Sequence, residues 1–159
     1  MATANPAELV GYCGLYCGAC GIRQQKIKIA VNNLRDIIAH YGFDKIMPEL
    51  AKWEPNLKHY NEFSEVMEGL VKMFGECSGC LQGGGDPGCK VRSCAKQKGY
   101  HTCAECSEAG TCEPLAPYRK GYKRLTRALQ AIRQNSVGRY AEEMQKKVDD
   151  GYSYLEERK

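Results

Sequence analysis

Ten cysteines in 159 residues, most of them paired, constrain this chain more than any other feature. Three pairs have two intervening residues: Cys17/Cys20, Cys77/Cys80 and Cys103/Cys106. That spacing lets two thiolates of one tight turn reach a single ion, at Zn–S distances of about 2.3 Å. Gly18 and Gly79 give two of these turns the freedom they need. Cys89 and Cys94 make a looser pair, and Cys13 and Cys112 stand apart. Residues 21–76 and 113–159 contain no cysteine. Free cysteine is a common core residue. Paired spacing in glycine-rich loops is not how core residues are arranged, and it points to metal.

The compartment decides between metal and disulfide. Met1 to Val10 has neither a basic start nor an apolar stretch, so no secretory signal is expected. A cytoplasmic location is the expectation. There, paired cysteines bind metal or do redox chemistry. No apolar run approaches the roughly 20 residues of a membrane span, so no membrane partner is expected. The length suits one domain, or one domain with a small module. It is too short for a (β/α)₈ barrel, which takes about 250 residues.

The cysteine-free middle reads as helical. Ile27, Val31, Leu34, Ile38 and Tyr41 follow helical spacing, and Gly42 is a stop signal. A second helix fits 57–74, with Tyr60, Phe63, Met67, Leu70 and Phe74 on one side and Gly75 closing it. Pro48 opens a short helical piece over 48–53. Residues 76–112 differ in kind. Their larger apolar residues are Leu81, Val91 and Tyr100, too few to offset the entropy of ordering the segment. Cross-linking of cysteines through metal would supply the difference. A short helix fits 91–98. The tail shows one stripe from Tyr118 to Ile132 and another from Val137 to Leu155, with Ser136 between them as an N-cap. No segment alternates convincingly as a strand.

The expected fold class is therefore mostly α: helix pairs flanking an irregular, metal-stapled cysteine-rich segment with zinc-knuckle-like turns. The expected domains are 1–115, cysteine-rich with an inserted helical pair at 22–75, and 116–159, a helical hairpin packed on the same domain.

Zinc is the default for closed tetrathiolate sites, and iron–sulfur clusters use the same ligands. Two Cys₄ sites would use eight cysteines. Eight thiolates with two Zn²⁺ add −4, which would cancel the formal +4 of the chain. Two zinc ions per chain are expected, with an iron–sulfur cluster as the alternative. Cys77, Cys80, Cys103 and Cys106 resemble a zinc-ribbon set, with a spacer slightly longer than usual. Cys17 and Cys20 would then meet Cys89, Cys94 or Cys112. Cys13-x₃-Cys17-x₂-Cys20 is also the spacing with which radical S-adenosylmethionine enzymes hold three irons. Those enzymes need a large βα scaffold, and no parallel-strand pattern follows here.

Tyr12-Cys13-Gly14-Leu15-Tyr16-Cys17-Gly18-Ala19-Cys20 resembles the opening of a cysteine-rich family catalogued as domain of unknown function 3795. Cys77 to Cys80, Cys89 to Ala95, Lys98-Gly99, Cys103 to Cys106 and Cys112 are similar to its second half. The resemblance runs from residue 12 to about 115. It implies that Cys13, Cys17, Cys20, Cys77, Cys80, Cys89, Cys94, Cys103, Cys106 and Cys112 belong to one metal-binding design. It implies no substrate. Two departures stand out: Thr111 where members often have proline, and no extra cysteine near Asp86.

Other candidates are weaker. His101, two residues before Cys103, could complete a Cys₃His site, but reads more simply as an exposed loop residue. His40 and His59 read as surface residues. Arg119, Lys120, Lys123, Arg124, Arg127 and Arg133 face only Glu113 within residues 113–134, with Tyr118 and Tyr122 interleaved. Such a basic helix could bind nucleic acid, and more simply is a solvated face. Gly83-Gly84-Gly85 lacks the Lys-Ser/Thr and the preceding strand of a phosphate loop, and reads as a flexible connector. No Ser-His-Asp order or His-Glu-x-x-His motif is present, so no catalytic residue is assigned. The expected role is a small zinc-binding protein acting through protein or nucleic-acid interaction. An iron–sulfur or dithiol redox protein using the same cysteines is the alternative.

Overall fold

Apolar residues three and four apart set where the helices form. The computed structural model describes residues 5–158. Its α-helices are α1 (Lys26–His40), α2 (Met47–Leu50), α3 (Tyr60–Phe74), α4 (Lys90–Gln97), α5 (Ala116–Gly121), α6 (Leu125–Asn135) and α7 (Val137–Asp149). Short 3₁₀ turns connect them. Among the described residues the one β-type pairing is an isolated bridge between Val10 and Tyr16. The chain is thus mostly helical. The signal-peptide reading of Met1–Val10 and the outer limits of the two expected domains rest partly on residues 1–4 and 159, which lie outside the described residues.

The contacts divide the chain into two units, Gly21–Cys77 and the remainder. In Gly21–Cys77, α1 and α3 form an antiparallel hairpin. Lys28 near the start of α1 bonds Glu76 beyond the end of α3 at 2.8 Å. Arg35, further along α1, donates to the Ser64 carbonyl at 3.3 Å. Val31 and Met67 are the buried side chains of the seam, with Ile27, Ile38, Val71 and Phe74 half-buried around them. Gly42 ends the first arm at φ +67°, in the left-handed region that glycine adopts freely.

The other unit is built around Tyr16, which is fully buried. Leu125, Ala128, Leu129 and Ile132 of α6 and Tyr140, Ala141 and Met144 of α7 pack in the same core. Both sets have the i, i+3, i+4 spacing of one buried helical face. The Tyr16 hydroxyl donates to the Gln145 side-chain oxygen, and its amide donates to the Tyr154 hydroxyl at 2.8 Å. The C-terminal turn thereby fastens the N-terminal cysteine loop.

Two tail readings need correction. The stripe from Tyr118 to Ile132 is two helices, not one. Gly121 ends α5, and Tyr122 is extended at φ −127°, placing its ring 6.0 Å from Tyr154. The second stripe does not run to Leu155. Helix α7 stops at Asp149, Gly151 reverses the chain at φ +94°, and Leu155 is exposed in a 3₁₀ turn. Packing of Tyr152 and Tyr154 wins over helix continuation.

Gly14 has φ +88°, and a Cβ there would lie 2.7 Å from Leu129 Cδ2. Strain and overlap act together, so Gly14→Ala is expected to destabilise by about 2–4 kcal/mol. Urea unfolding followed by circular dichroism measures it.

Candidate metal centre

Outside α4 the cysteine segment consists of short turns whose carbonyls have few backbone partners. Arginines supply them. Arg133 Nε donates to Ala104 O and its Nη2 to Cys106 O, both at 2.6 Å. Arg119 donates to Ala109 O and Cys112 O, both at 2.9 Å. Arg92 is buried and donates to Gly84 O at 2.8 Å, to Asp86 O, and more weakly to Cys80 O at 3.5 Å. In the helical unit, Arg23 donates to Cys77 O at 3.0 Å. Each planar guanidinium reaches at least one cysteine carbonyl, and three of the four bridge two or more carbonyls at once. The supposed flexible connector Gly83-Gly84-Gly85 is thus tied down by Arg92.

A capping box fixes the Cys103/Cys106 turn. Thr102 Oγ1 accepts from the Ala104 amide at 3.2 Å, and Glu105 accepts from the Thr102 amide at 2.9 Å and the His101 amide at 2.7 Å. The Cys103 amide donates to Tyr12 O at 2.7 Å, joining this turn to the N-terminal cysteine loop. His101 itself is exposed. The Thr-x-x-Glu spacing was the available sequence signal for the box. The arginine clamps had none, because their acceptors are backbone atoms.

All ten cysteines are free thiols; Cys103 is buried and the rest are half-buried. Cys94, Cys103, Cys106 and Cys112 line one cavity of about 360 Å³, beside Val91, Ala95, Ala109 and Leu115. The cavity holds Cys94 and Cys112 where the zinc-ribbon spacing suggested Cys77 and Cys80. Burial pushes the Cys103 thiol up to about 12, reinforced by the nearby Cys112, Cys106, Cys94 and Cys89. Burial also pushes Cys13 up to about 12; a hydrogen bond to the Leu15 backbone opposes this, and Cys80, Cys17 and Cys103 add to it. Cys80 lies against the same N-terminal loop, with its Sγ 3.6 Å from where a Cβ on Gly11 would stand. Cys89 Sγ is 3.5 Å from the Tyr118 hydroxyl, and this hydrogen bond raises the Tyr118 pKa. Lys98 is held above its ordinary range, chiefly by Cys106 and Cys94.

Thiolate donors in this number suit a tetrathiolate ion in type. Among the described residues, however, no three His, Cys, Asp or Glu side chains converge as ligands would. The thiols share a cavity wall without closing on a point.

A family model described as "Protein of unknown function (DUF3795)" matches residues 9–117. The chain belongs to this family. No curated protein and no solved structure matches it. The matched span in this DUF3795 protein starts at Leu9 and ends at Pro117, so it takes in all ten cysteines and stops before α6 and α7. Those two helices nonetheless supply much of the core under the cysteine loops. Among the described residues no helix is long and apolar enough to cross a membrane.

The basic stretch around Arg119–Arg133 is partly committed within the chain. Arg119 and Arg133 hold cysteine loops, and Arg124 sits over the Tyr152 ring, 5.1 Å from its centroid.

Two outcomes follow. Arg133→Ala removes both carbonyl bonds and is expected to cost about 1–3 kcal/mol by urea unfolding. Arg133→Lys recovers less than half of that, since an ammonium cannot make the same fork. Second, Cys13 and Cys103 bind their protons more tightly folded than unfolded. Their stabilising effect is full below the ordinary thiol value of 9.0 and is lost as pH rises toward about 12. Metal-free protein should therefore lose urea resistance across that window. A flat profile would contradict the assignment.

Proposed function

We propose that this is a small zinc-binding protein with zinc in structural tetrathiolate sites, acting through interaction with another protein rather than through catalysis. The observation that carries the reading is the single cavity lined by Cys94, Cys103, Cys106 and Cys112. These four are assigned to one ion. Cys13, Cys17, Cys80 and Cys89 are assigned to the second. Support for the second set is that Cys80 lies against the N-terminal loop that carries Cys13 and Cys17; the two sets adjoin, since Cys13 also senses Cys103, and Cys103 senses Cys89. Cys20 and Cys77 are left over. A divalent cation would favour the thiolate forms of Cys13 and Cys103 that burial disfavours. Closing four thiols onto one ion would supply the cross-link that the segment's sparse apolar content cannot.

A protein partner is favoured over nucleic acid because three of the six cations in the basic stretch already have roles inside the chain. Lys120, Lys123 and Arg127 remain exposed there.

The test is elemental and sulfide analysis of protein purified anaerobically without a metal-binding tag. The reading expects two zinc per chain and no acid-labile sulfide. Cys106→Ser should lower zinc to one per chain, while Cys20→Ser leaves two. Iron with matching sulfide would replace this reading with the iron–sulfur alternative.

A further inference from the structure

Cys20 belongs to neither of the two proposed tetrathiolate sets, although it stands three residues from Cys17. The local backbone brings the two together. Cys17–Ala19 form a 3₁₀ turn, closed by the Cys20 amide donating to the Cys17 carbonyl at 3.1 Å. Side chains three apart eclipse in such a turn, and three residues rise about 6 Å. Disulfides span Cα separations of about 4.4–6.8 Å. Cys20 keeps a φ of −73°, so its Cβ leaves the chain as it would inside the turn.

The turn is held in this shape from beneath. Ala19 is fully buried, and its carbonyl accepts from the Ser153 hydroxyl at 3.4 Å. Gly18 lies against the fully buried Tyr16, whose ring a Cβ at Gly18 would overlap. Tyr16 is itself fixed by Tyr154 and Gln145. Cys17 and Cys20 flank Ala19 and are half-buried, so neither is sealed in the core as Ala19 is.

The other close pairs lack one part of this arrangement. Cys103 and Cys106 share the closed turn, with the Cys106 amide on the Cys103 carbonyl at 3.2 Å. Cys103 is buried, however, and burial pushes its thiol up to about 12. Thiol–disulfide exchange needs the thiolate. Gly79 is extended, at φ +100° and ψ 156°, so Cys77 to Cys80 form no such turn. Cys89 at the start of α4 and Cys94 within it are five residues apart. That is about 7.5 Å along a helix axis.

We propose that Cys17 and Cys20 are a reversible disulfide site, closed by exchange with a small-molecule disulfide of the glutathione class. The Cys20 thiolate attacks that disulfide, forms a mixed disulfide and expels one thiolate. The Cys17 thiolate then attacks the Cys20 sulfur and expels the second. Two electrons pass from the cysteines to the small molecule, and the two cysteine protons leave on its two thiols. In zinc-loaded protein, closure takes Cys17 out of the second set. That consequence rests on the proposed zinc sites, whereas the disulfide itself does not.

The test is oxidised glutathione added to the anaerobically purified full chain. Remaining thiols are then alkylated and the chain is mapped by mass spectrometry. The expected first product is a disulfide joining Cys17 and Cys20, reversed by dithiothreitol, and metal-free protein should give the same link. Zinc should fall from two to one per chain as the link forms, and Cys20→Ser should keep both. A first disulfide between any other pair overturns the proposal, as does a chain whose Cys17 and Cys20 stay reduced. The mapping is made on the unmodified chain, so it stands by itself should Cys20→Ser fail to fold. A chain that forms the link but never held zinc supports the disulfide site and refutes the zinc reading alone.

Discussion

The cysteine loops depend on guanidinium groups that hold their carbonyls. Loops without regular secondary structure leave carbonyls that must find donors, and water or side chains have to provide them. Arg133, Arg119, Arg92 and Arg23 reach the carbonyls of Cys106, Cys112, Cys80 and Cys77. Three of these carbonyls belong to the Cys-x₂-Cys turns or their close neighbours in sequence. The clamps position backbone without occupying a thiol. Arg92 shows how firm the arrangement is, because its buried charge is matched by carbonyls from Gly84 and Asp86.

Beneath the clamps lies an ordinary helical core. Tyr16 in the N-terminal loop, Leu125 and Leu129 in α6, and Ala141 and Met144 in α7 pack together. The family-defining segment ends at Pro117, yet the helices after it carry Arg133 and seven of the sixteen buried residues of that core. The C-terminal helices are therefore part of the cysteine unit's architecture. This explains why so cysteine-rich a segment can have buried residues such as Ala104 and Ala109 despite its poor apolar content.

The helices were legible because their signals are local. Ile27, Val31 and Ile38 repeat at helical spacing, and Gly42 and Gly75 mark the ends. The break at Tyr122 and the stop at Asp149 were not legible. Both follow from tertiary packing of Tyr122, Tyr152 and Tyr154, which leaves the periodic pattern intact in sequence. The cysteines announced themselves by spacing, but their grouping did not. Cys94 joins Cys103, Cys106 and Cys112 because α4 places it on the cavity wall, at a separation no short motif encodes. The roles of two cations in the basic stretch were not legible for a related reason. Arg119 and Arg133 read as part of a charged face, and they also bond backbone oxygens that composition cannot reveal.

Zinc-edge X-ray absorption on the purified chain tests the central claim most directly, since it reads the atoms around the metal and not merely its presence. The account predicts four sulfur neighbours per zinc at about 2.3 Å and no lighter ligand. Nitrogen or oxygen among the neighbours would contradict it: His101 or solvent would then complete the site, and the closed tetrathiolate reading of Cys94, Cys103, Cys106 and Cys112 would fail.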